Sequence, residues 1–152
     1  MNEMMIIKEE ILFKANAQTV WNLLVNPEMT KQYMFGCEVH SDWTIGSPVY
    51  WKGKTENGEE VLYVKGALLE YEKGKKMTCT MFDPNSDMQD IPENYVNLTY
   101  ILDDAEDGVL LTIIQGDFAG AENGKKRYEE SKAGWKEMVI PIMKKMVNLE
   151  TL

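Results

Sequence analysis

Read for its alternation of apolar and polar positions, the chain opens on a two-residue period. In "MMIIKEEILF", Ile7, Ile11 and Phe13 share one parity and Lys8 and Glu10 the other, which predicts a strand; Glu9 falls on the apolar parity. The period then lengthens. Val20, Trp21 and Leu24 recur at helical spacing behind Asn16, an N-capping residue type, and a second short helix is predicted where Asn26 precedes Pro27. A proline at the first helical position loses nothing, because its missing N–H would have had no intrahelical partner.

From Gly36 to Gly116 short β-rich runs alternate with Gly, Pro, Asn and Asp, the pattern of an antiparallel meander. Strands are predicted near Glu38 to Trp43, Pro48 to Thr55, Val61 to Glu70, Lys75 to Phe82, Tyr95 to Leu102 and Val109 to Gln115. "ENGEE", "YEKGKK" and "DDAEDG" supply the turns between them, and Asp83 to Asn94 reads as a longer polar loop. Met77, Cys79 and Met81 alternate with Lys76, Thr78 and Thr80, and Leu111, Ile113 and Gln115 alternate around Thr112. One face of the sheet is therefore expected to be covered and the other wet.

The cover is predicted between about Glu122 and Leu149. There Tyr128, Trp135, Met138, Ile142 and Met146 form one apolar stripe, flanked by Lys and Glu, along about seven turns of helix. Two residues interrupt it. Gly134 costs about 1 kcal/mol in helix propensity and an interior Pro141 about 3 kcal/mol. The expectation is that Gly134 lets a loop or strand end approach beside Trp135, so that Gly134→Leu would clash, and that Pro141 bends the helix to follow a curved sheet.

Composition narrows the partners. The chain has 152 residues, enough for one domain with its own core, and no internal repeat or linker divides it. Residues 1–152 are expected to form a single domain. With 16 Lys and Arg against 25 Asp and Glu, the net charge of −9 opposes nucleic-acid and anionic membrane partners. Cys37 and Cys79 stand far apart, with no export signal at the start and no apolar run of membrane-spanning length, which points to a cytoplasmic protein with reduced thiols.

No catalytic constellation is visible. His40 is the sole histidine and alternates with Glu38 and Asp42, a surface pattern. The acid pairs Asp103/Asp104 and Glu129/Glu130 read as a turn and as a solvated helix flank. Phosphate-binding and nucleophile-elbow motifs are absent, and neither a metal nor another cofactor is expected.

The phrases "ANAQTVWNLLVNPEMTKQYM", "SDWTIGSPVYWKG" and "VKGALLEYEKGKKMTCT", the "GDF" at Gly116 to Phe118 and the "GW" at Gly134 and Trp135 together resemble the START-like, or SRPBCC, superfamily. The resemblance is strongest to the branch named after the C-terminal domain of the activator of the 90-kDa heat-shock protein ATPase. It implies an α+β helix-grip fold in the order strand, two short helices, six strands and a long helix, with a cavity between sheet and helix. Members of the superfamily include carriers of lipids and small molecules, polyketide cyclases and chaperone-associated domains.

That resemblance turns the pattern into a pocket hypothesis. If the first and last strands pair, Glu9 and Gln115 both face the concave side as polar anchors for a ligand. Apolar lining is expected from Trp21, Phe35, Trp51, Tyr100 and Trp135, from Met81, Leu98 and Ile113 on the strands, and from Met138 and Ile142 on the helix. A small hydrophobic molecule is the expected partner, and a cyclase-like enzyme with Glu9 as its acid or base is the alternative. A chaperone partner rests on the resemblance alone. An exposed aromatic edge at Trp43, Tyr50 and Trp51 would permit a homodimer.

Overall fold

The computed structural model describes residues 4–150 of the chain. Strand β1 (Ile7–Phe13) is followed by helices α1 (Ala17–Val25) and α2 (Pro27–Tyr33). The meander comprises β2 (Glu38–Ser41), β3 (Pro48–Lys54), β4 (Glu60–Glu72), β5 (Lys76–Met81), β6 (Val96–Ala105) and β7 (Gly108–Gly116). Both predicted caps are made: Asn16 Oδ1 accepts from the N–H of Thr19 at 2.8 Å, and Asn26 Oδ1 from that of Glu28 at 2.9 Å.

The seven strands form one curved antiparallel sheet in the order β1-β7-β6-β5-β4-β3-β2. The first and last strands pair as expected, with Ile7 opposite Gln115 and Glu9 opposite Ile113. Along the concave face Met77, Cys79, Leu98, Tyr100, Leu111 and Ile113 are completely buried. The opposite face carries hydroxyl side chains, and Thr78 and Thr99 meet there at 2.9 Å.

The long helix is three pieces in series. Helix α3 (Gly124–Gly134) passes into a single π turn (Trp135–Val139) and then into α4 (Ile140–Glu150). At the wide turn the N–H of Ile140 reaches back five residues to the carbonyl of Trp135. Pro141 is the second residue of α4 and directly follows this wide turn, so the two helix irregularities, an interior proline and a π turn, fall together.

The extra residue in the π turn also rephases the helix. Downstream of Trp135 the buried positions are Val139, Ile140, Met143 and Val147. Of the predicted stripe, Met138 is 48% exposed, and Ile142 and Met146 are half-buried. Of the predicted pocket positions, Met138 is therefore turned to solvent, and Ile142 packs at the edge of the core without lining a cavity wall.

Gly134 is corrected as well. A Cβ built there would meet only the tip of the Phe35 ring, at an ordinary 3.6 Å. No backbone presses on this glycine, so the predicted clash of Gly134→Leu has no structural basis. Close backbone approaches occur instead at other glycines, among them Gly66 in β4, where a Cβ would overlap the carbonyl of Thr80, and Gly124 at the start of α3, where it would overlap that of Phe118.

A candidate ligand cavity between sheet and helix

A cavity of about 500 Å³ lies where the π turn crosses the sheet. Its walls come from four places: Met34, Phe35 and Cys37 after α2; Trp51, Tyr63, Val64 and Met81 on β3 to β5; Gln115 on β7; and Gly134, Trp135 and Val139 on the helix. Asp83, Glu130 and Ser131 complete the lining, and Phe35, Asp83 and Glu130 stand exposed at its rim. Gly134 helps make the space by contributing no side chain.

The deepest polar contact ties the two layers together. Trp135 Nε1–H donates to Gln115 Oε1 at 2.8 Å, and the Trp135 ring meets the buried Tyr100 ring edge-on at 6.3 Å between centroids. An indole nitrogen can only donate, so this bond fixes which way the Gln115 amide points. The Gln115 Nε2 group then faces Met81, whose sulfur is a weak acceptor 3.7 Å away.

The rim is held from the polar loop before β6. Asn94 is buried; its Oδ1 accepts from the Glu122 N–H at 2.9 Å, and its carbonyl accepts from Arg127 at 2.8 Å. Asp90 accepts from Tyr95 Oη at 2.6 Å and also pairs with Lys65, and these two donors hold its carboxyl below the usual range, Lys65 most strongly. The predicted loop is therefore braced against both β4 and α3, which places Asp83 at the mouth.

Burial controls the thiols and phenols nearby. The Cys37 thiol, in the cavity wall, is pushed above its normal value by burial, and Cys79 in the solid core is pushed to about 12 for the same reason. Burial likewise raises Tyr33, whose hydroxyl donates to the carbonyl of Leu23 at 2.8 Å, and Tyr100. None of these groups is poised to ionise near neutral pH. Among the described residues no group of three or more metal-ligating side chains occurs.

Five of the residues expected at a pocket line it: Phe35, Trp51, Met81, Gln115 and Trp135. Leu98, Tyr100 and Ile113 are fully buried in the sheet beside them, in the solid core rather than at the cavity surface. Trp21 lies away from the cavity, tilted against the Tyr71 ring at 5.7 Å between centroids, and Trp43 stacks on the same tyrosine at 5.6 Å. With Trp51 buried as well, Trp43, Tyr50 and Trp51 do not form the expected exposed aromatic edge.

Glu9 has the predicted parity but a different partner. Its carboxylate lies 3.9 Å from Lys136 Nζ on the helix, outside the cavity. His40 is exposed and 3.2 Å from Glu38, as its alternation predicted. The contributions of Cys37, Tyr63, Val64, Asp83, Glu130 and Val139 were not legible. Glu130 in particular carries only the signal of a solvated helix flank.

The comparisons add the lineage. ChR145 from Cytophaga hutchinsonii, a solution structure, is 29% identical, with a TM-score of 0.76 over 99% of this chain and 98% of that one. PFC0360w, an HSP90 activator from Plasmodium falciparum, shares the fold at 12% identity, with a TM-score of 0.70 over 96% of this chain and 97% of that one. DynU16, from the dynemicin biosynthetic locus, matches at 11% identity with a TM-score of 0.69, covering 94% of this chain and 47% of its own. No curated protein matches. The model of the Activator of Hsp90 ATPase homolog 1-like protein family matches residues 14–148, and the chain belongs to that family.

Proposed function

We propose that this chain is a one-domain cytoplasmic binding protein that holds a small, largely apolar molecule between the sheet and the C-terminal helix. The observation that carries this reading is the cavity of about 500 Å³, walled mainly by aromatic, aliphatic and sulfur side chains and open at one rim. Such a space falls within the usual size range of small-molecule pockets. It offers burial of apolar ligand surface worth roughly 25 cal/mol per Å². The free, buried cysteines support the compartment.

Native mass spectrometry of protein purified gently from its host, joined to a thermal-shift screen of fatty acids and aromatic polyketides, tests the proposal. A co-purifying small molecule, or a rise in melting temperature with one class, is the expected result. Filling the space with Val139→Trp should abolish that response. Absence of both a bound species and any shift across the classes defeats the reading.

The family's description supports a second reading, an interaction with the 90-kDa heat-shock chaperone. Binding of the purified host chaperone to the immobilised protein would support it. Failure to bind with and without nucleotide would end it.

A further inference from the structure

Within that reading, the polar groups of the cavity define what the ligand must carry. Gln115 is a polar wall residue that is 8% exposed, and the wall residue Trp51 carries a second buried donor, an indole N–H without a partner. Gln115 Oε1 is committed to the Trp135 indole at 2.8 Å, which turns the Nε2 group, with two hydrogens, toward the Met81 side of the wall. A thioether at 3.7 Å is a poor acceptor, so this N–H group is under-used. The inner wall thus presents a donor and asks for an acceptor.

The mouth has the opposite electrostatic character from a carboxylate receptor. Its ionisable carboxylates are Asp83 and Glu130, both exposed, and among the described residues no Lys, Arg or His lines the cavity. Lys126 lies 3.9 Å from Glu130, and Arg127, which donates to the Asn94 carbonyl, also feels the Asp83 charge, but neither cation reaches the wall. The net charge of −9 adds to the repulsion of anions.

We propose that the cavity selects uncharged or amine-bearing apolar molecules that present a hydrogen-bond acceptor, such as a ketone carbonyl, to Gln115 Nε2, and that it rejects carboxylates. The proposal rests on the ligand-binding reading above. It separates the ligand class from the fatty-acid anions that an apolar cavity alone would also admit.

Three probes with one aromatic body test it: 2-acetylnaphthalene, 2-ethylnaphthalene and 2-naphthoate, titrated calorimetrically at neutral pH and low salt. A neutral hydrogen bond predicts that the ketone binds about 3- to 10-fold tighter than the ethyl compound, although it is the less hydrophobic of the two. Repulsion at the mouth predicts that the carboxylate binds on the order of ten-fold more weakly than the ketone, the gap narrowing with added salt. In ¹⁵N spectra, the Gln115 side-chain amide should shift with the ketone and stay in place with the ethyl compound.

Gln115→Leu should erase the preference between ketone and ethyl compound. A purely structural loss would instead weaken both alike. Asp83→Asn combined with Glu130→Gln changes only exposed side chains and should bring 2-naphthoate up toward the ketone. Equal affinities for ketone and ethyl compound, or tight binding of the carboxylate, would overturn the ligand class while leaving the binding cavity standing. If none of the three binds at millimolar concentration, the binding reading falls together with it.

Discussion

The space beneath the C-terminal helix is solid at one end and hollow at the other. Under α4, which packs against α1 and α2, Met143 and Val147 are within 2% of complete burial and belong to the same core cluster as Val20 and Leu24 of α1 and Leu111 of the sheet. Under the end of α3 and the π turn, the same sheet faces a cavity of about 500 Å³. The difference lies in what each stretch of helix offers. A long, flexible Met143 fills its site, whereas Gly134 offers nothing and the π turn spaces Trp135 and Val139 around the gap. One helix therefore serves as core at one end and as the wall of a chamber at the other.

Truncation at the solid end should cost most. Met143→Ala removes a fully buried side chain from close packing and is expected to destabilise the fold by about 2–5 kcal/mol in urea unfolding. A loss under 1 kcal/mol would show that this end is looser than the burial indicates. Gln115→Leu, at the boundary, leaves the Trp135 indole N–H buried without an acceptor and should cost about 1–3 kcal/mol. Pairing it with Trp135→Phe in a double-mutant cycle should recover part of that cost, because both partners are then apolar.

At the hollow end the sign reverses. Gly134→Leu should stabilise the fold by up to about 1 kcal/mol, because a good helix former replaces glycine and its side chain has room in the cavity. The same change should abolish ligand-induced thermal shifts. A drop in melting temperature would mean that the cavity is less accommodating than its walls suggest.

The last contrast is silent at neutral pH. Cys79, in the solid core of the sheet, has its thiol raised from 9.0 to about 12, so the unfolded chain releases this proton first as pH rises. Its contribution to stability is complete below about pH 9 and is lost progressively toward pH 12. Urea midpoints measured at pH 8 and pH 10 should fall less for Cys79→Ala than for the unaltered protein. Cys37, in the cavity wall, should be alkylated before Cys79 under native conditions, and a bound ligand should slow that reaction.

Much of the sheet was readable because its information is local. The two-residue period assigns faces without reference to anything distant, and predicted strand limits such as Pro48 to Thr55 agree with Pro48–Lys54. Asn16, Asn26 and Pro27 set the helix starts through their own backbone chemistry. The cavity was only partly readable. Phe35, Trp51, Met81, Gln115 and Trp135 could be inferred from size, parity and resemblance, but whether a buried aromatic lines a void or fills a core depends on what lies opposite. Trp21 and Tyr100 carry the same local signals as Trp51 and end in solid packing. Asp83 reaches the rim because Asn94 and Asp90 brace its loop, contacts that no periodicity encodes.

The π turn resembles a dislocation in a crystal, with regular order on both sides and a phase offset across it. The sequence tolerates either phase: Met138, Ile142 and Met146 make one apolar row, and Val139, Met143 and Val147 make the row beside it. Local preference is nearly degenerate between these rows, and the inserted residue selects the second. Deleting Lys136 or Glu137 would remove the inserted residue and join the two helices in one phase, with both apolar rows intact. Evolution in such a helix can thus adjust which side chains meet the sheet by removing a fault line, leaving the apolar residues themselves untouched.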